Sequence, residues 1–291
     1  MKIIPVLNIK QFEHRVPLTD FYSNDLSTHL HKNAAVINKP HSHNFYLCVI
    51  FTKGKGTHEI DFNSYEVNTG SVFFLKPGQT HYWKFTNTPE GYIFFHTQDF
   101  YELHFSTSKL EQFPFYYSHK NTPHITVNKN VLAQLITNYR SINQEYYANL
   151  PYKKQKIASL LHTVYIDLAR QYNKEAPTTE TNSVAYIETL RALEQEIEIH
   201  FKTEKSAQFY ADKLHITAKH LNRVCKTTLN KTTTELITER VILESKRLLV
   251  HSKNTMSSIS ENLGFKDYAY FSKVFKSKTK LTPLEFKKSY K

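Results

Sequence analysis

His220-Leu221-Asn222-Arg223-Val224-Cys225-Lys226 and, 50 positions on, Tyr270-Phe271-Ser272-Lys273-Val274-Phe275-Lys276 are two versions of one pattern. In each, three apolar side chains recur at the spacing of one helix face: Leu221, Val224 and Cys225, then Phe271, Val274 and Phe275. The opposite faces carry Lys219, Asn222, Arg223 and Lys226 in the first copy, and Ala269, Ser272, Lys273 and Lys276 in the second. Each copy follows a short helical pattern and a tight turn. A short helix, a turn and a second helix with polar and basic residues outward is the helix-turn-helix plan.

Around these copies the C-terminal third reads as about seven helices. Thr217, Thr255 and Asp267 are expected N-caps, Gly264 suits a turn with positive φ, and a last helix starts near Thr282-Pro283. A long helix from about Thr234, its expected cap, to Val250 joins the two units. Upstream, Val184, Ile187, Leu190, Leu193, Ile197 and Phe201 recur every three to four residues, which predicts a packing helix. Its acids Glu194, Glu196 and Glu198 are expected to point outward. Residues 174–182 hold no large apolar side chain and read as a linker.

The 291 residues suggest two domains, and 40% apolar composition suffices for ordinary cores. The net charge of +12 is uneven. Residues 205–291 hold 18 Lys/Arg against 7 Asp/Glu, whereas residues 1–182 hold 18 against 14. Charge gathered on the helix-turn-helix segment favours a polyanionic partner over mere solubility. Cys48 and Cys225 lie in separate apolar runs and read as reduced core residues. The N-terminus has no signal-peptide pattern and no 18-residue apolar run occurs, so a cytoplasmic protein with no membrane partner is expected.

The N-terminal part has a different texture. Residues 1–40 read as an arm with one or two edge strands. From Asn44 to about Thr97 short runs rich in β-formers alternate with turn signals, as in Phe45–Phe51, Gly70–Leu75, Tyr82–Phe85 and Tyr92–Phe95. This predicts a sandwich or small barrel, over which Phe113, Phe115, Tyr116 and Tyr117 are placed to close. Two amphipathic helices follow, at about 130–148 and 152–172. The second, with Ile157, Leu160, Leu161, Val164, Ile166 and Leu168, has an apolar stripe broader than one packing face needs.

At Gly264-Phe265, Asp267, Tyr270–Lys276 and Thr282-Pro283-Leu284-Glu285-Phe286, with Arg240 and Glu244–Leu249 before them, the chain resembles the DNA-binding domain of the AraC/XylS transcription regulators. His41-Ser42-His43 and Pro77-Gly78-Gln79-Thr80-His81 resemble the two motifs of the cupin barrel, that family's usual sensor domain. The resemblance implies an α+β protein of two domains. These are a cupin-like β-barrel with two following helices (1–173), a linker (174–182), and an all-α domain with two helix-turn-helix units joined by a long helix (183–291). It implies a sequence-specific, ligand-responsive transcription activator with no catalytic activity and no cofactor. Its implied partners are double-stranded operator DNA, a small-molecule effector, a second copy joined through 152–172, and RNA polymerase. The competing readings are a constitutive regulator and a metal-dependent cupin enzyme with a DNA-binding appendage. Metal-binding cupins use a His-x-His pair, an acid about four positions on, and a later His; here the acid position carries Leu47.

Residues near the start of a helix in the major groove reach base edges. Arg223 is expected to take a guanine, Asn222 an adenine, and Lys219 a base or phosphate. Tyr268, Ala269, Ser272 and Lys273 form the matching face, with Tyr268 or Ala269 against a thymine methyl, while Lys226 and Lys276 suit phosphates. His41, His43, Phe45, Phe73, His81 and Trp83 are the candidate effector pocket.

Overall fold

A computed structural model describes residues 5–12, 18–105, 109–117, 121–175 and 184–290. They fall into two compact units, within Pro5–Pro177 and Thr178–Lys291. The expected linker lies outside the described residues from 176 onward, and residues 174 and 175 are the last of a helix.

The first unit begins with β1 (Val6–Leu7), β2 (Phe21–Asp25) and α1 (Leu26–Ile37). Asp25 caps α1 by accepting from the Thr28 N–H. This helix was not expected. It buries His29 and Asn33 beside Leu26 and Ile37, so polar residues interrupt the apolar period on its inner face.

The strands β3 (Ser42–His43), β4 (Tyr46–Lys53), β5 (Gly56–Ile60), β6 (Asn63–Val67), β7 (Ser71–Leu75), β8 (His81–Phe85) and β9 (Glu90–His96) follow. Then come α2 (Gln98–Glu102), α3 (Pro114–Tyr117) and β10 (His124–Thr126). One sheet runs β10-β7-β4-β9-β2, a second runs β6-β5-β8, and β1 pairs with β3. The expected single barrel is therefore replaced by open sheets. A reciprocal backbone bridge between His41 and His81 ties β8 to the segment entering β3. The weak alternation over residues 57–62 corresponds to β5, but its pairing with β6 has no local signal because the turn holds no glycine: Asp61 and Phe62 take φ 46° and 73° between paired Ile60 and Asn63. Phe113, Phe115 and Tyr116 are buried, as expected; the Tyr117 side chain lies outside those described.

Two long helices close the unit, α4 (Lys129–Tyr147) and α5 (Lys153–Glu175), packed on each other. Pro151 does not open α5; the chain turns through Tyr152 at φ 62°. Ile157, Leu161, Val164 and Leu168 are completely buried, so intrachain packing accounts for much of the broad stripe.

The second unit holds α6 (Val184–His200), α7 (Ala207–Lys213), α8 (Ala218–Leu229), α9 (Thr233–His251), α10 (Met256–Asn262), α11 (Tyr268–Thr279) and α12 (Pro283–Ser289). Leu190, Leu193, Ile197 and Phe201 of the α6 region are buried, but the expectation for its acids needs correcting. Glu194 is buried, whereas Glu198 is exposed as expected and, at the edge of the contact with α9, accepts from Arg240 Nε at 2.8 Å. No described helix is long and apolar enough to cross a membrane.

Candidate nucleic-acid interface and buried histidine cluster

The two sequence copies are one structure built twice. Helices α8 and α11 have twelve residues each. Thr217 Oγ1 accepts from the His220 N–H at 3.1 Å, and Asp267 Oδ1 accepts from the Tyr270 N–H at 2.7 Å. Both helices end on a left-handed residue, Asn230 at φ 50° and Lys280 at φ 67°. Both are followed by a capping box, Thr232 with Glu235 and Thr282 with Glu285. Thr232, not Thr234, therefore caps α9. The reciprocal bonds with Glu235 three residues on decide the start.

In front of the turns the copies are offset by one residue less. Ser206 and Thr255 cap α7 and α10, and the turns pass through His215 at φ 55° and Gly264 at φ 74°. The second turn holds one residue more before its reading helix, which admits Phe265 against Phe271 at 5.2 Å between ring centroids.

The inner faces pack as expected. Leu221, Val224, Cys225, Phe271 and Phe275 are buried, and Val274 is half-buried. Outward, Lys219, Arg223, Lys226, Ala269, Lys273 and Lys276 are exposed, and Tyr268 and Ser272 are half-exposed. Asn222 differs from its neighbours. Its Oδ1 accepts from the Thr233 N–H at 3.1 Å and so serves the N-terminus of α9. A two-bond pairing with adenine uses both ends of the amide; in this arrangement only the NH2 end is left for it.

In the first unit His41, His43, His58 and His81 gather with Trp83. The His81 ring lies 4.3 Å from His41, 5.2 Å from His43, 5.1 Å from His58 and 4.9 Å from Trp83 between centroids. His43 stacks on Phe45 at 4.5 Å, and His58 meets Phe73 at 4.5 Å. His58 was not singled out beforehand. Its signal was alternation, since in β5 it shares a face with Ile60. Backbone carbonyls set two tautomers: Nδ1–H of His41 donates to Lys39 and Nδ1–H of His43 to Phe45. His58 Nε2 and His81 Nδ1 share a hydrogen bond of 2.9 Å. Burial, the largest cause, holds His43 down to about 3 and pushes His58 and His81 well below the usual imidazole range, and the neighbouring His41 adds to it.

Residues 210–289 match the family model of a helix-turn-helix domain, and residues 29–96 match that of an AraC-like ligand binding domain. The chain belongs to the AraC/XylS family of transcription regulators. An uncharacterized HTH-type transcriptional regulator, YfiF of Bacillus subtilis (strain 168), is 24% identical over 97% of this chain and 89% of its own length. The HTH-type transcriptional activator RhaR of Enterobacter sp. (strain 638) is 20% identical over 85% of this chain and 86% of its own. A solved structure of ToxT from Vibrio cholerae is 16% identical, covers 92% of this chain and 97% of its own, and superposes with a TM-score of 0.44.

As an AraC/XylS regulator the protein is a sequence-specific DNA-binding transcription regulator, with a helix-turn-helix domain and a ligand-binding domain. The acid of metal-binding cupins is replaced by Leu47; His58 and His81 turn ring nitrogens toward each other, while His43 Nε2, His58 Nδ1 and His81 Nε2 are buried with no hydrogen-bond partner among the described residues. Among the described residues no three His, Cys, Asp or Glu side chains form a group able to hold an ion. An open surface groove lies elsewhere, between α4 and α5, lined by Leu135, Asp167, Arg170 and Lys174.

Proposed function

We propose that this regulator activates transcription in response to a small molecule and has no catalytic activity of its own. Helices α8 and α11 enter successive major grooves, about 34 Å apart along B-DNA. The observation that carries this reading is the duplicated reading helix, with the same length, caps and following capping box, and basic residues on both outer faces. Lys219 and Arg223 of α8 read bases, with Asn222 as a minor contact. Tyr268, Ala269, Ser272 and Lys273 read from α11, and Lys226 and Lys276 hold phosphates.

The domains are taken as 1–173, 174–182 and 183–291. The protein works in the cytoplasm as a homodimer through 152–172, and the DNA-bound form meets RNA polymerase. The effector is taken up around His41, His43, Phe45, Phe73, His81 and Trp83. To switch anything it must favour one arrangement of the protein over another. A constitutive regulator is the second reading, favoured by the close ring packing in that cluster.

Selection of bound sequences from random duplex DNA tests the first claim. Two blocks one helical turn apart are expected; the absence of any enriched sequence refutes it. Thermal shifts against small polar and apolar compounds separate the effector reading from the constitutive one. Sedimentation at micromolar concentration tests the dimer.

A further inference from the structure

On the outer face of α8, His220 and Arg223 stand one turn apart, and Arg223 Nη2 lies 2.7 Å from His220 Nδ1. A guanidinium has five donors and no acceptor. The bond therefore requires a bare Nδ1, so the imidazole must carry its proton on Nε2. One of the five donors is used. Whichever Nη2 hydrogen that is, a complete two-donor edge of the guanidinium stays free. The imidazole is itself braced, with the Tyr186 ring of α6 edge-on to it at 6.0 Å and 84°. A chain of contacts thus runs from the packing helix α6 through His220 to the exposed plane of Arg223.

The second copy lacks this device. Tyr270 stands where His220 does and Lys273 where Arg223 does. An ammonium is a point charge with no plane to orient, so a preset acceptor would gain nothing there. Asn222, turned toward Thr233, leaves Arg223 as the planar reader on α8.

We infer that His220 is a positioning residue for operator recognition, holding the Arg223 guanidinium in the plane that pairs with a guanine. This rests on the reading of Arg223 as a base contact. Holding the fork before DNA arrives avoids ordering a flexible side chain on binding, so the gain appears only at the base pair Arg223 reads.

The test uses the full chain and the duplex that selection returns, with each guanine replaced in turn. Arg223→Ala should lose discrimination at one guanine by roughly 5- to 150-fold. His220→Leu, which keeps an apolar surface for Tyr186 but has no acceptor, should lose about three- to tenfold at that same base pair. His220→Asn, whose Oδ1 takes the place of Nδ1, should restore it. His220→Leu in the Arg223→Ala background should add nothing. If Arg223→Ala loses the guanine while His220→Leu keeps it, the positioning role is wrong and the base contact stands. A uniform loss on all duplexes with His220→Leu, unrepaired by His220→Asn, also refutes it. If Arg223→Ala keeps the guanine, the base contact itself is wrong and the inference falls with it.

Discussion

The Lys202 carbonyl oxygen stands where a side chain on Gly264 would begin. Gly264 also sits at φ 74°, so two independent constraints exclude a Cβ there. The matching turn of the first unit tolerates His215 at φ 55°. Lys205 reinforces the contact by donating from Nζ to the Phe201 and Lys202 carbonyls at 2.7 and 2.8 Å, which closes the end of α6.

Gly264→Ala is therefore expected to destabilise the second unit by more than about 1 kcal/mol, the cost of the backbone conformation alone, because overpacking adds to it. His215→Gly should change stability by less than about 1 kcal/mol, since its φ is already satisfied. Urea unfolding of the two variants checks the contrast; equal effects would refute it.

Arg240 is buried between α6 and α9. Its guanidinium lies 3.9 Å from the Phe201 ring centroid and reaches Glu198 at 2.8 Å and Glu244 at 3.0 Å. Arg240→Ala removes the ring contact and leaves exposed Glu198 and half-buried Glu244 with one cation fewer, Glu244 keeping Arg247 at 3.4 Å, and is expected to cost about 1–3 kcal/mol. Arg240→Lys should recover less than half, because an ammonium cannot stack and bridge both carboxylates together. Denaturation midpoints of both variants decide it.

The first unit should lose stability in acid. His29 and His43 are held down to about 3 and His96 to about 4, in each case chiefly by burial. Unfolded, they take up protons at about 6.5. Below that pH the unfolded chain binds more protons than the fold. The contribution is thus complete above about pH 6.5 and is lost progressively as pH falls toward 3–4. By pH 5 the loss is about 2 kcal/mol for each of the three. Unfolding followed between pH 7 and 5 checks the slope, which His96→Gln should reduce; a stability independent of pH over this range would refute it.

Binding to the selected duplex should separate readers from positioners. Lys226→Ala and Lys276→Ala are expected to weaken all duplexes alike and to lower the salt slope by about 1 each. Asn222→Ala should mainly lower stability, by about 1 kcal/mol, through loss of the bond to the Thr233 N–H. Fluorescence anisotropy over a salt series and thermal unfolding provide the two readouts.

Legibility differed between the units for a physical reason. The C-terminal helices were readable because their information is local. Thr217, Thr255, Asp267 and the Thr282-Pro283 start are caps that act within three residues, and the apolar faces of α8 and α11 keep a helical period. The start of α9 was misplaced by two residues because three threonines compete there, and the position of Glu235 chooses Thr232.

The amino-acid sequence by itself determined the duplicated reader, the basic charge on it, the strand-rich first unit and the two helices after it. Tertiary structure decided what has no local signature: the partition of strands into open sheets, the helix α1 with polar residues inward, and the His58 ring that joins His41, His43 and His81. It also decided that Asn222 serves α9 and that His220 holds Arg223. Caps and periodicity are set by neighbours along the chain. Sheet order, buried imidazole partners and the direction of a long polar side chain depend on groups that folding alone brings within hydrogen-bond reach.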